Sequence, residues 1–462
     1  MNTDPLEKNP LIDSYTLDVP GGGAGRLAIG WLSLAVGSLV VGGLFTILIV
    51  LSRTPGIQEV FPWVDFFHTA LVVHVDLTVL VWFLSFAGLL WSLNSRDDCV
   101  PCGWAALILA VAGAAILSLS PFLGAGGPFM NNYVPVLQDP IFFIGLGIFG
   151  LGFALLVIRG LLFSIPVGRI ISGSGALRFG LYTGLLVALL SILALLASYF
   201  GMPEGTEGSH YYELLFWGGG HTLQITHTQI MLVVWLWLAA VCGTAPSLSP
   251  RVTLLLFTLG ALPALVTLYI YFAFDVGAPF HLLGFTLQMQ YGGGLAALPL
   301  ALVLLPVFLA RPGTATDQQR AERSALQFSI ILFGVGGIIG FMISGSNVTV
   351  PAHYHGSIVA VTLAYMGITY HLLPRLGFRT PVGRMVRFQP VIYGLGQLFH
   401  VLGLAWSGGY GVQRKTAGAA QGLESIEKIA GMGLMGLGGL IAIIGGILYL
   451  VIVFKCMWPE KR

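Results

Sequence analysis

Apolar residues run along this chain in blocks long enough to cross a bilayer, which takes roughly 20 in a helix. Reading with that window predicts twelve spans, at 25–51, 63–94, 103–124, 138–163, 175–200, 211–243, 252–274, 285–310, 324–345, 350–374, 386–407 and 431–455. The connecting segments are short except 408–430, and no internal repeat or low-complexity stretch points to a large extramembrane domain. The expected organisation is a polar cytoplasmic segment over 1–24, one membrane domain over 25–456 and a short cytoplasmic tail over 457–462. Residues 1–24 lack a basic stretch followed by an apolar core, so no cleavable signal peptide is expected and insertion falls to the first span. The predicted fold class is therefore an all-α integral membrane bundle of twelve helices.

Composition agrees with a chain solvated by lipid. Of 462 residues 56% are hydrophobic and 9% charged, where a water-facing surface would need roughly a quarter of the chain charged. The net charge of +2 excludes the strongly basic balance of a nucleic-acid binder, and 63 glycines suit close-packed membrane helices. With the N-terminus inside, the cytoplasmic segments collect 17 Lys and Arg residues, Lys8, Arg311, Lys461 and Arg462 among them. The outer segments hold four, Arg53, Arg414, Lys415 and Lys428. That asymmetry puts both termini in the cytoplasm. Arg414 and Lys415, adjacent and on the disfavoured side, call for a local anion.

The histidines carry the chemistry. Ionisable residues inside a membrane are costly and mark functional sites. His74, His221, His353 and His355 fall in the outer part of spans two, six and ten, and His281 follows the outward end of span seven. Five imidazoles from four distant segments thus converge on the outer third of the membrane. Neutral nitrogen donors in an apolar shell are what haem iron or a metal requires. His353 and His355 are two apart in one helix, so they leave it about 200° apart and one helix can serve two cofactors. His74 could complete a six-coordinate, low-spin bis-histidine haem with one of them, leaving His353 on a second iron whose open face looks toward His221 and His281.

In these features the chain resembles subunit I of the haem-copper oxidase superfamily, which includes terminal oxidases and nitric oxide reductases. The resemblance covers essentially the whole chain. It rests on twelve spans, on Leu215-Phe216-Trp217 running into Gly220-His221, on Val350-Pro351-Ala352-His353-Tyr354-His355, and on Gln413-Arg414-Lys415. The Val-Pro-x-His-x-His form looks most like the B-type oxidases. The resemblance implies two haems, the low-spin one on His74 and His355 and the high-spin one on His353. It places His221 and His281 at a non-haem copper or iron site, makes both catalytic, and sets Arg414 and Lys415 against haem propionates. It further implies a respiratory oxidoreductase in a prokaryotic cytoplasmic membrane with its haems toward the outer side. Electrons would come from cytochrome c, quinol, or a haem-c or copper subunit, and the substrate would be NO or O2.

The chain departs from that pattern at the metal. Where the superfamily carries a His-His pair it has Phe280-His281, and where a cross-linked tyrosine follows the first copper ligand it has Ile225. Phe274 stands where another branch places its tyrosine, and no Glu occupies 222–230. Gln224, His227, Gln288, Gln290 and Asp275 are the candidate substitute donors, of which His227 points about 120° from His221 and reads as a packed residue. Loss of the tyrosine favours NO reduction, which needs two electrons, over four-electron O2 reduction. The competing expectation is a diheme electron-transfer or gas-binding subunit that has lost the second metal. A transporter would instead put its histidines near the bilayer centre.

The remaining candidates are peripheral. Asp76 reads either as a hydrogen-bond partner of a haem substituent or water, or as a cap on a polar pocket. His68 and His210 read as rim residues, His371 as structural, and His400 as placed to hydrogen-bond near the haems. Tyr354 is expected to pack on porphyrin. Cys99 and Cys102 form a C-x-x-C with no second pair or nearby His to complete a zinc site. Neither of the superfamily's proton-uptake patterns is recognisable.

Overall fold

The computed structural model describes residues 14–56, 64–124, 126–244, 247–309 and 315–458. Lys8, Arg311, Lys461 and Arg462 lie outside the described residues.

The described residues are almost entirely helical, and helical passes occupy all twelve predicted places. The first is α1 (Gly22–Arg53). The second joins α2 (Val64–Val75) to α3 (Trp82–Leu93) through a π-helical turn at Asp76–Val81. There follow α4 (Val100–Leu119), α5 (Pro140–Phe163), α6 (Gly173–Phe200) and α7 (Gly208–Val241). The seventh pass joins α8 (Pro250–Ala261) to α9 (Val266–Ala273) through a 3-10 turn. The eighth is broken into α10 (Pro279–Leu287), a π turn, α11 (Ala297–Val303) and α12 (Pro306–Leu309). The last four are α13 (Asp317–Phe341), α14 (Thr349–Arg375), α15 (Arg384–Gly409) and α16 (Ile426–Met457). Ten of these passes, all but the broken eighth and α15, are long and apolar enough to cross a membrane.

Two features differ from the sequence reading. The eighth pass begins at Pro279, six residues before the expected 285, so His281 lies in the first turn of α10 and not in a connection. Proline suits that first helical position because its missing N–H would have no partner there. The segment between α4 and α5 also folds into a small hairpin, β1 (Pro128–Phe129) against β2 (Val136–Leu137).

Helices pack through small residues. A Cβ on Gly403 would stand 2.6 Å from the Gly431 carbonyl, and one on Gly438 would stand 2.6 Å from the Gly396 carbonyl, so α15 and α16 meet backbone to backbone. The most enclosed helix is α14, whose apolar window is 89% buried, with α7 next at 78%. Helices that are apolar on every side and screened from lipid form the centre of a bundle. These two bear His353, His355 and His221.

Candidate functional site

Four of the predicted ligands are fixed in one tautomer by backbone carbonyls. His74 lies in the last turn of α2, just before the π turn, a local widening often found at functional sites. Its Nδ1–H is shared between the Gly42 carbonyl at 3.1 Å and Thr46 Oγ1 at 2.9 Å, and the Thr46 hydroxyl itself donates to Gly42. Glycine at 42 allows this approach, since a Cβ there would stand 2.6 Å from Thr78 Cγ2. His355 donates Nδ1–H to Pro351 O, His221 to Trp217 O and His353 to Gly336 O, each at 2.8 Å. A neutral imidazole with its proton on Nδ1 has its lone pair on Nε2, the atom that binds iron.

The two histidines of α14 reach different neighbours, as their 200° separation requires. His353 turns to α13. His355 turns to α15, where its ring centroid lies 5.0 Å from that of His400. His400 donates Nδ1–H to Met435 O at 3.0 Å across the α15–α16 seam. His74 and His355 are close enough to interact electrostatically.

His221 and His281 form a second group on either side of Phe285, with ring centroids 5.7 and 5.2 Å from it. His281 is fully buried, and both its ring nitrogens lack a protein partner. Burying such a group without a hydrogen bond costs free energy, so a ligand or water belongs there. The substitute donors do not close a coordination shell. Phe280 is 65% exposed and stacks on Phe274, so its side chain turns out of the bundle. Asp275 and Gln290 are exposed as well. Gln288 donates its amide N–H groups to Pro263 O at 2.8 Å and Thr267 Oγ1 at 2.9 Å, and its Oε1 is buried without a protein partner. His227 packs its ring on Phe83, and Gln224 is half-buried on α7. Among the described residues no group of three His, Cys, Asp or Glu side chains could hold a metal ion. The donor set fits two haem irons better than it fits an additional three- or four-coordinate metal.

Cations gather at this end of the bundle. Arg414 donates to Ser346 Oγ and Asn132 Oδ1, both at 3.1 Å, and Lys415 Nζ donates to Met130 O at 2.7 Å. Neither makes an ion pair among the described residues. Lys415 sits in the left-handed region at φ 58°, a conformation that non-glycine residues hold only where their surroundings impose it. Burial, with the neighbouring charge of Arg414, pushes its ammonium down to about 8. Arg53, at the end of α1, is half-buried, and its Nε and Nη2 are screened from solvent without a protein partner. Three partly desolvated cations, none of them in an ion pair among the described residues, fit the propionates of a haem.

Sequence reasoning missed Arg53 as a site residue, although its place among four cations on the disfavoured side was the available signal. It also missed Tyr133, whose ring centroid lies 4.7 Å from that of His221. The turn bearing Tyr133 is held by Asn132, which donates to Glu213 from its backbone N–H at 3.0 Å and from its side-chain amide. No periodicity announces such a turn. Of the peripheral candidates, His68 donates Nε2–H to Lys415 O at 3.1 Å and His210 is exposed. His371 pairs with Glu322, and both carboxylate oxygens of buried Asp76 lack a protein partner. Cys99 and Cys102 are joined as a disulfide at the start of α4.

These features define a helical membrane bundle with two groups of buried histidines, and comparison gives the fold. The chain has the fold of a haem-copper terminal oxidase whose dimer was solved by cryo-EM, with a TM-score of 0.72, 16% identity, and coverage of 96% of this chain and 86% of that one. It is 30% identical over 365 residues to an uncharacterized protein of Aquifex aeolicus (strain VF5), 78% of this chain and 88% of that protein, and it belongs to that protein's family. It is also 29% identical over 500 aligned positions to an uncharacterized protein of Rickettsia prowazekii (strain Madrid E), 94% of this chain and 96% of that one. No family model matches the chain.

Proposed function

We propose that this protein is the haem-bearing subunit of a respiratory membrane oxidoreductase that reduces a small gas, NO in preference to O2. The observation that carries this reading is the shared tautomer. His74, His355 and His353 each lock Nδ1–H onto α1, α14 or α13 and present Nε2. His74 and His355 would hold a low-spin haem and His353 a high-spin haem, with Arg53, Arg414 and Lys415 on the propionates. Bound there, the haems supply an electron path and an iron that takes the gas. The protein's own residues hold the imidazoles in register, exclude water with Tyr133, Trp217 and Phe285, and neutralise the propionates. Electrons would enter from cytochrome c, quinol, or a haem-c or copper subunit on the outer side of a prokaryotic cytoplasmic membrane. The Val-Pro-x-His-x-His form supports a B-type relationship, and Ile225 in place of tyrosine supports NO, whose reduction (2 NO + 2 e⁻ + 2 H⁺ → N2O + H2O) needs two electrons.

A second reading is favoured by the outward turn of Phe280 and the open donor set around His221 and His281. On that reading the chain is a diheme electron-transfer or gas-binding subunit without a non-haem metal. Metal analysis of the purified complex, with haem iron subtracted, separates the two. Two haems plus one further copper or iron, with NO turnover, support the reductase. Two haems alone, without turnover, support the electron-transfer subunit, and no haem overturns both.

A further inference from the structure

A buried ionisable pair lies at the opposite end of the bundle from the histidine cluster, the end that the charge bias faces to the cytoplasm. His371 Nδ1 stands 3.7 Å from Glu322 Oε1, and their side chains are 4% and 1% exposed. Gln318, half-buried in the first turn of α13, donates Nε2–H to the same Glu322 oxygen at 2.7 Å and connects it to the surface. The Cys242 thiol lies within electrostatic reach of Glu322, and three charged neighbours on α13 and α14 have hydrogen bonds of their own. Arg375 donates to the His371 carbonyl at 2.9 Å, Arg323 to Cys242 O at 3.2 Å, and Asp317 accepts from the Gly383 N–H at 3.2 Å.

Polar atoms without protein partners continue from this pair toward the histidines. The Trp237 ring packs at 5.8 Å on His371, and its Nε1 is buried and unpartnered. Tyr365, six residues before His371 and so about 9 Å along α14, has a buried, unpartnered hydroxyl. Phe83 touches both Tyr365, at 5.8 Å, and His227, at 5.0 Å, and His227 Nδ1 is unpartnered as well. His227 lies six residues, about 9 Å, from His221, with Gln224 between them. Buried polar groups without protein partners are where ordered waters sit. These unpartnered atoms lie at successive levels of α7 and α14 between the His371 pair and the second histidine group.

We propose that Glu322 and His371 form the proton entry of this subunit, passing protons from the inner aqueous face through water held at Trp237, Tyr365 and His227 to the site of gas reduction. This rests on the reductase reading above. A proton from water adds to the Glu322 carboxylate. Its O–H bond then breaks as a bridging water relays the proton across the 3.7 Å gap to Nδ1 of His371, the imidazolium gives up its Nε2 proton to the water chain, and return of the ring to its Nε2–H tautomer restores both groups. The electrons arrive separately from the cytochrome or quinol donor. A purely structural role explains the pair less well. A buried ion pair adds little net stability, and α13 and α14 are already joined by the Gly336–Gly356 contact and by Ser329, which donates to Ala360 O at 2.6 Å.

The test uses the purified complex in vesicles, with a pH dye on each side, an electron donor, NO, and haem content read from its spectrum. The wild type should take up protons from the Glu322 side. Glu322→Gln and His371→Phe should keep both haems and slow that uptake by about tenfold or more, the scale of a lost proton-transfer group. Glu322→Asp should recover most of the rate. Infrared difference spectra on reduction should show a carboxyl band that is missing in Glu322→Gln. Gln318→Leu, which leaves the pair in place, should also slow uptake and carries the test should either pair variant fail to fold. Normal uptake in a haem-loaded Glu322→Gln or Gln318→Leu overturns the proton entry and leaves the reductase reading intact. A wild type without haem overturns that reading and this proposal with it.

Discussion

The Gly336 carbonyl on α13 accepts the Nδ1–H of His353 on α14 at 2.8 Å because the two helices touch through bare backbone. A Cβ on Gly336 would stand 2.7 Å from the Ser357 nitrogen and 3.0 Å from the Gly356 Cα. The orientation of a proposed haem ligand is thus set by glycines on two helices.

One turn farther along α13, a Cβ on Gly340 would stand 2.7 Å from His353 Nδ1. Gly340→Val should push the imidazole off its rotamer at a cost of roughly 1 kcal/mol or more. The high-spin haem should be lost or weakened while the low-spin haem stays. Optical and electron paramagnetic resonance spectra of the purified variant check this, and an unchanged high-spin signal would remove His353 as its ligand.

His355→Ala and His74→Ala should each abolish the low-spin spectrum and leave about one haem of two, whereas His353→Ala should remove only the high-spin signal. Pyridine haemochrome quantification reads the difference. Retention of a low-spin signal in His355→Ala would point instead to His400, whose Nε2 is equally available.

Arg53 is a half-buried cation near His355, the proposed low-spin ligand, so Arg53→Gln should favour the oxidised haem. The expected effect is a fall in midpoint potential on the order of 60 mV, one tenfold change for a one-electron couple. Potentiometric titration measures it, and a change below 10 mV, as an order-of-magnitude limit on this scale, would place Arg53 away from the haem.

Lys415 is held down to about 8 by burial and Arg414, below its unfolded value of about 10.4. Above its folded value the unfolded chain binds the extra proton, so stability of the haem-free protein should rise with pH between about 8 and 10.4. Thermal unfolding of haem-free wild type should shift upward by a degree or two across that window relative to Lys415→Met. Equal pH profiles would show that Lys415 is not desolvated.

Much of the site was legible because the residues involved violate the solvent logic of the membrane. A histidine in an apolar block stands out whatever its neighbours, and so do Arg414 and Lys415 on the disfavoured side. Asn132, Tyr133 and Thr46 were not legible, because polar and aromatic residues in a turn or at a helix end are ordinary there. Their roles come from the β1–β2 turn and from the approach of α1 to α2. His371 read as structural from its depth alone, since its partner Glu322 lies on another helix, 49 residues away.

By itself the sequence determined the all-helical membrane fold and the divergence of His353 from His355. Uniform apolarity over about 20 residues has one stable outcome in lipid, and the angle between neighbouring residues of a helix is fixed. Only the tertiary structure decided which nitrogen His74, His221, His353 and His355 present, which cations are partly desolvated, that Phe280 turns outward, and that Glu322 meets His371. Those depend on where glycines let two helices touch, which is a property of pairs of segments that no single stretch of sequence contains.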